Sequence, residues 1–160
     1  MSESIVVEGA TRQEKYASLL PQIRALVEGE NDLIANLANI TGAIKEGMDF
    51  LWVGCYFVKG NELVLGPFQG PVACTRIGYG KGVCGACWQR GEAIIVKNVD
   101  EFPGHIVCST ESKSEITVPV FKNGKVFMVL DIDSRSLADF DETDQNFLQE
   151  IALIIESLPG

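Results

Sequence analysis

Two alternating apolar runs flank Lys122-Asn123-Gly124 within residues 113–133, and no other stretch of the chain has so few ways to fold. Apolar side chains at every second position, broken by Asn-Gly, mark an antiparallel hairpin, and the loop length decides which residues share a face. A two-residue Asn-Gly loop sets Ile116 against Asp131 and mixes apolar with acidic side chains. A three-residue loop with Gly124 left-handed shifts the register by one, and Ile116, Val118, Val120, Val126, Met128, Leu130 and Ile132 then form one apolar face. The hydrophobic pattern predicts the three-residue loop. On the opposite face, Glu115 then lies across from Asp131 with Asp133 two residues further on, which gathers acids at one end of a sheet. Pro119 inside the first strand points to an edge or a bulge.

Helical spacing precedes and follows this hairpin. Residues 11–28 place Tyr16, Leu19, Leu20, Ile23, Leu26 and Val27 at intervals of three and four, stop at Gly29, and contain Pro21, which should kink or split the helix. A second helix is expected over 31–46, capped by Asn31, striped by Leu33, Ile34, Leu37, Ile40 and Ile44, and closed by Gly47. A last one covers residues 141–157, with Asp141 and Glu142 at its start and Phe147, Leu148, Ile151, Ile154 and Ile155 on its apolar side. Between them the period is two. Residues 50–58 and 62–65 read as a hairpin, 66–71 as a connection rich in glycine and proline, and 72–77 and 92–96 as further strands. Residues 78–82 are a glycine loop suited to close backbone approach to something small, and 83–90 a short helix ended by Gly91. Residues 97–112 form a long irregular segment, the kind of loop that tends to carry function. Helices, antiparallel strands with an inserted loop region, then a helix make an α+β class.

The 160 residues allow one domain of ordinary size. A hydrophobic fraction of 46% with 22% charged residues excludes a disordered chain. The net charge of -9, from 13 basic against 22 acidic residues, argues against non-specific binding to nucleic acid or to an anionic membrane. No apolar run approaches the roughly 20 residues of a membrane span, and MSESIVVEGATRQEK lacks the apolar stretch of a signal peptide, so a soluble, cytoplasmic protein is expected. In a reducing compartment the five cysteines (Cys55, Cys74, Cys84, Cys87 and Cys108) are core residues, metal ligands or redox thiols rather than a disulfide framework.

Cys84 and Cys87 have thioredoxin-like spacing, but that motif needs a buried strand feeding a long helix, and here a loop feeds a short one. Cys84 near a helix start should have a lowered pKa, with Cys87 packed beneath it. A zinc site built from Cys74, Cys84, Cys87, Cys108 and His105 is disfavoured, because structural zinc uses two close pairs of ligands and the chain has one; no metal is expected. Cys55, in mid-strand, reads as a small core residue. Cys108 lies in the long loop just before Glu115, where neighbouring carboxylates disfavour its thiolate. Asp131 ends the run VFMVLDID, where a strand should still be buried. Glu115, Asp131 and Asp133 therefore read as acids that raise one another's pKa, leaving one protonated near neutrality as a general acid. Trp52 and Tyr56 alternate along one strand face, with Phe68 after them, and could wall a small-ligand pocket beside those acids.

Cys74, Cys84 and Cys108 are spaced ten and then twenty-four apart, within GPFQGPVACTRIGYGKGVCG and FPGHIVCSTESKSEITVPV, with VLDIDS following. From about Met48 to Ile155 these motifs resemble the free methionine-(R)-sulfoxide reductases, a catalytic branch of the GAF-domain fold. The resemblance implies a GAF-like central antiparallel sheet of about six strands, flanked by N- and C-terminal helices. It implies a single domain over 1–160, with helices in 1–47, the sheet and active-site loops in 48–140 and the last helix in 141–158. The implied reaction reduces free L-methionine-(R)-sulfoxide to methionine. By resemblance Cys108 is the nucleophile, passing through a sulfenic acid. Cys84 is the principal resolving cysteine, forming a Cys84–Cys108 disulfide, and Cys74 receives that disulfide onward. Glu115, Asp131 and Asp133 would polarise or protonate the sulfoxide oxygen and hold the substrate, and Trp52 would contact the methylthio end with Tyr56 beside it. No bound cofactor is implied: thioredoxin, reduced ultimately by NADPH, is the external reductant, and a homodimer is in keeping with the family. Cys55 and Cys87 fall outside the three-cysteine set. The rival on the same fold is a non-catalytic sensor of a small ligand, which needs no set of spaced thiols.

Overall fold

The computed structural model describes residues 4–160. The elements run α1 (Arg12–Val27), α2 (Leu33–Met48), β1 (Trp52–Lys59), β2 (Glu62–Gln69), β3 (Arg76–Gly78), α3 (Gly82–Arg90), β4 (Ile94–Val96), β5 (Ser114–Lys122), β6 (Lys125–Ser134) and α4 (Glu142–Glu156), with a 3-10 turn at Val99–Glu101. The strands make one antiparallel sheet in the order β3-β2-β1-β6-β5-β4. This is the expected α+β arrangement, with helices from both ends of the chain on one face.

Pro21 sits inside an unbroken α1, against expectation. Tyr16, Leu19 and Leu20 before it and Ile23 after it are buried in one core while Pro21 itself is exposed, so packing carries the helix through the missing hydrogen bond without splitting it. α2 begins two residues later than expected, because the Asp32 side chain, not Asn31, accepts from the Ala35 N–H. It also runs through Gly47, and Asp49 at φ 56 takes the left-handed turn instead. α4 opens as expected on Asp141, whose side chain and that of Asp144 cap each other's backbone.

The β5–β6 hairpin corrects the expected loop while keeping the main consequence. Asn123 (φ 53) and Gly124 (φ 76) are both left-handed, a two-residue turn. Pairing starts as Lys122↔Lys125 and Phe121↔Val126, then shifts so that Val120 meets Met128. Phe127 is thus an extra residue, a β-bulge that does within the strand what a third loop residue would have done at its tip. Ile116, Val118, Val120, Met128, Leu130 and Ile132 share the apolar face as expected, but Val126 packs on the other face and Phe127 takes its side. Glu115 pairs with Asp133, not Asp131, and Asp131 faces Thr117. Pro119 stands where β5 has run beyond β4 and is paired on one side only.

β2 continues through Gly66 and Pro67, which were expected to form a connection. Gly54 pairs with Phe68 and Tyr56 with Leu65, so Gly66 and Pro67 face Cys55 alone, a bulge that accommodates proline. The strand expected at 72–77 is shorter and later, β3 taking in Gly78 from the expected glycine loop, and the strand expected at 92–96 shortens to β4.

The two sheet faces do different things. Val53, Cys55, Ile116, Leu130 and Ile132 pack under Tyr16, Leu37, Ile40, Ile44, Leu148 and Ile151 of α1, α2 and α4. The other face carries Trp52, Tyr56, Leu63, Ile77 and Val129 and is covered by Cys84 and Cys87 of α3. Among the described residues no helix is long and apolar enough to cross a membrane.

Candidate active site

On the α3 side, adjacent ends of β1, β6 and β5 bring Trp52, Asp133 and Glu115 into one row through the pairs Trp52↔Asp133 and Glu115↔Asp133. One pleat deeper, Gly54 faces Asp131 and Asp131 faces Thr117. Period two puts all of these side chains on the same face. Glu115 (6% exposed) and Asp131 (5%) are buried, and they floor a cavity of about 610 Å³ of empty space, its open mouth included. Cys84, Cys108, His105 and Asp133 also line it.

Glycine makes the aromatic wall possible. A Cβ at Gly54 would lie 2.3 Å from Trp52 Cη2 and 2.6 Å from Phe68 Cβ, so only glycine leaves room for the indole between Tyr56 and Phe68. The Trp52 ring stacks on Phe68 at 5.3 Å and on Tyr56 at 6.0 Å between centroids. Trp52 Nε1 donates to the Pro71 carbonyl (2.9 Å) and Tyr56 Oη to the Cys74 carbonyl (2.8 Å), tying the segment before β3 to the wall.

Burial pushes the Glu115 carboxyl well above the usual range, and the charges of Asp131 and Asp133 push it further. Asp133 is likewise raised well above, first by burial and then by Asp131, with partial relief from the Ser112 hydroxyl, which donates to Oδ1 at 3.1 Å. Asp131 is raised by burial but held back by contacts with Glu115 and Cys84 and by the charge of His105. All three carboxyls are therefore disposed to hold protons to a higher pH than free carboxyls do. Among the described residues, ion pairs join Arg12 to Asp139 and Asp144 and Arg76 to Glu62, and none reaches these acids.

Cys74 and Cys108 form a disulfide with Cα atoms 5.4 Å apart. This replaces the expected Cys84–Cys108 bond. Cys74 leads into β3 and Cys108 belongs to the β4–β5 loop; both are half-buried, and Cys108 lines the cavity while Cys74 directly follows the lining residue Ala73. Cys84 instead points down from α3 to the floor, a free thiol 5% exposed with Sγ 3.9 Å from Glu115 Oε2. Its pKa is raised well above that of a thiol by burial and by Asp131, Glu115 and Asp133, reversing the lowering expected from the helix start. A nine-residue helix does not offset that much lost water and negative charge. Cys87 packs beneath with burial pushing it up to about 12, and Cys55 lies on the far face in the core. Cys84 and Cys87 are not joined, and α3 follows a three-residue edge strand, unlike a thioredoxin motif.

Two polar side chains in this floor went unread in the sequence. Thr117 is fully buried with an unpartnered hydroxyl, and it could have been found from its place two residues after Glu115. Ser112, in the irregular loop, carries no periodic signature.

A GAF domain family model matches residues 30–157. The chain is 51% identical over 158 residues to GAF domain-containing protein A of Dictyostelium discoideum, covering 98% of this chain and 100% of that protein. It is 40% identical over 153 residues to the free methionine-R-sulfoxide reductase of Saccharomyces cerevisiae, covering 90% and 85%. The X-ray structure of the free methionine-R-sulfoxide reductase of Neisseria meningitidis in complex with its substrate superposes with a TM-score of 0.95 at 47% identity, over 97% of this chain and 94% of that one.

Proposed function

This chain belongs to the GAF-domain family, within its sulfur-acting oxidoreductases, the free methionine-R-sulfoxide reductases, and we propose that it reduces free L-methionine-(R)-sulfoxide through Cys108, with Cys74 as the resolving thiol. The observation that carries this reading is the Cys74–Cys108 disulfide, whose Cys108 lines a cavity floored by buried acids. A sensor of the same fold has no use for two cysteines facing each other above its ligand.

The chemistry follows from the groups present. The substrate's ammonium enters a site with three acids and no ion-paired cation, and its charge offsets Asp131. The apolar wall of Trp52 and Tyr56 takes the methylthio end. A sulfoxide oxygen leaves sulfur only after it is protonated, and Glu115 and Asp133, both raised well above the usual carboxylate range, are the carboxyls suited to supply the proton. The reduced Cys108 thiolate attacks the sulfur, the oxygen passes to Cys108 as a sulfenic acid, and methionine departs with the electron pair. The Cys74 thiol then displaces water from Cys108, forming the disulfide. A dithiol protein of the thioredoxin type, recharged by NADPH, restores both thiols by exchange, a step suited to a reducing cytoplasm. Cys84, at the floor, holds Glu115 and Asp131 in place rather than resolving Cys108.

The test supplies each methionine sulfoxide isomer separately with thioredoxin, thioredoxin reductase and NADPH. NADPH is expected to fall with the R isomer only, and Cys108→Ser to abolish it. Consumption with neither isomer, or a fully active Cys108→Ser, overturns the reading.

A further inference from the structure

The floor of the cavity holds a donor set that turnover does not require in that form. One ligand atom each from Cys84, Glu115 and Asp131 lies within 4.8 Å of the other two, and all three residues are buried. Sγ of Cys84 is 3.9 Å from Glu115 Oε2. A tetrahedral zinc ion spaces sulfur and oxygen ligands by about 3.5 Å and two oxygens by about 3.3 Å, so small side-chain movements close the set. Independently, Asp131 Oδ1 is buried without a hydrogen-bond partner while its residue lines the cavity. A buried carboxylate oxygen left without a donor is costly, and a cation satisfies it. No lysine or arginine does so among the described residues.

We propose that Cys84, Glu115 and Asp131 form an inhibitory site for a borderline divalent cation, Zn²⁺ above all. Thiolate with two carboxylates selects Zn²⁺ over Mg²⁺ or Ca²⁺, which prefer all-oxygen sets. Binding displaces the protons held by Cys84 and Glu115 to solvent, and three negative donors then meet two positive charges. The fourth position opens to the cavity, where water completes the tetrahedron. The ion occupies the space and the charge balance that the substrate's ammonium needs, so metal and sulfoxide exclude each other. This consequence rests on the proposed function; the binding does not. Cys84 stays free when Cys74 and Cys108 are joined, so the site exists in the oxidised enzyme.

Co²⁺, as a spectroscopic stand-in for Zn²⁺, tests this on the full-length disulfide form, in which only Cys55, Cys84 and Cys87 are free. One ion per chain should give a thiolate-to-cobalt charge-transfer band in the near ultraviolet. The band should vanish in Cys84→Ser, persist in Cys87→Ser, and need roughly 10–100-fold more Co²⁺ in Asp131→Asn. Added Zn²⁺, and separately methionine-(R)-sulfoxide, should bleach it. A band retained in Cys84→Ser or no band in folded wild type overturns the metal site; a band unmoved by saturating sulfoxide in a protein that turns the sulfoxide over overturns its inhibitory role. Circular dichroism confirms that each variant is folded, and Cys84→Ala serves if the serine variant is not. Absence of turnover with either isomer, by contrast, would sink the reductase reading and leave the cobalt band untouched.

Discussion

Replacing Gly54 by alanine tests whether the aromatic wall is packed as tightly as its geometry says. The new Cβ would sit 2.3 Å from Trp52 Cη2 and 2.6 Å from both Trp52 Cζ3 and Phe68 Cβ. Ordinary contact begins near 3.4 Å, so the indole must give by about 1 Å while Phe68 Cβ, next to the backbone, cannot. The indole is not free to swing, because Nε1 is bonded to the Pro71 carbonyl. Overpacking of this kind costs about 1–3 kcal/mol, and a strained or lost hydrogen bond about another 1 kcal/mol. A loss of about 2–4 kcal/mol lowers Tm by roughly 4–16 °C in a chain of this size. Gly42 is the control: it lies inside α2 with nothing within 4 Å of its virtual Cβ, so Gly42→Ala should raise stability by about 0.5–1 kcal/mol. Thermal unfolding followed by circular dichroism reads both variants, and KM for methionine-(R)-sulfoxide should rise in Gly54→Ala with kcat less affected. A Gly54→Ala protein that melts with the wild type and keeps its KM would refute the packing argument.

Cys74→Ser should release methionine once per enzyme and stop, leaving a sulfenic acid on Cys108 that dimedone traps for mass spectrometry; sustained turnover would assign the resolving role elsewhere. Glu115→Gln removes a carboxyl proton donor and should cut kcat by about 10²–10⁴, with binding less changed. The same variant reads the linkage. Glu115 has a folded pKa above its unfolded value, so the native state holds the extra proton and stability falls as pH rises from the usual carboxylate range towards the folded pKa. The urea midpoint should therefore drop more between pH 5 and pH 8 in the wild type than in Glu115→Gln, and equal drops would contradict it. Tyr56→Phe deletes the bond to the Cys74 carbonyl, which should cost about 1 kcal/mol and slow disulfide closure measured in single-turnover quench.

Residues whose position follows from periodicity are legible in the sequence, and residues placed by irregularity are not. The apolar face of β5 and β6 could be read because burial allows only one parity. The bulge at Phe127 could not: an extra residue in the loop and one in the strand satisfy the same parity, and they differ in the partner of every residue beyond. The three-residue loop therefore sets Glu115 against Asp131, whereas the bulge puts it across from Asp133. The cap at Asp32 rather than Asn31 turned on two adjacent residues of equal capping strength. That α1 is not split at Pro21 follows from a core gripping the helix on both sides, of which local propensity says nothing. The cysteine set was visible, but which pair bonds depends on how a loop without periodicity, 97–112, folds back over the sheet.

The division of labour between the two sheet faces explains how such a floor survives. Burying three carboxyls and a thiol without a cationic partner works against folding, and they are raised in pKa because the chain, not water, surrounds them. The opposing face repays this: Leu37, Ile40, Ile44, Leu130, Ile132, Leu148 and Ile151 are buried in one cluster, each worth about 1.5–3 kcal/mol against exposure. Because both faces share β1, β5 and β6, the pleat that aims Ile116 and Ile132 into the helices aims Glu115, Asp131 and Asp133 into the cavity. Shifting β6 by one residue against β5 would trade Asp131 and Asp133 for their apolar neighbours on both faces at once. The register that holds the core together therefore also assembles the acids, and selection on stability guards the site without touching its chemistry.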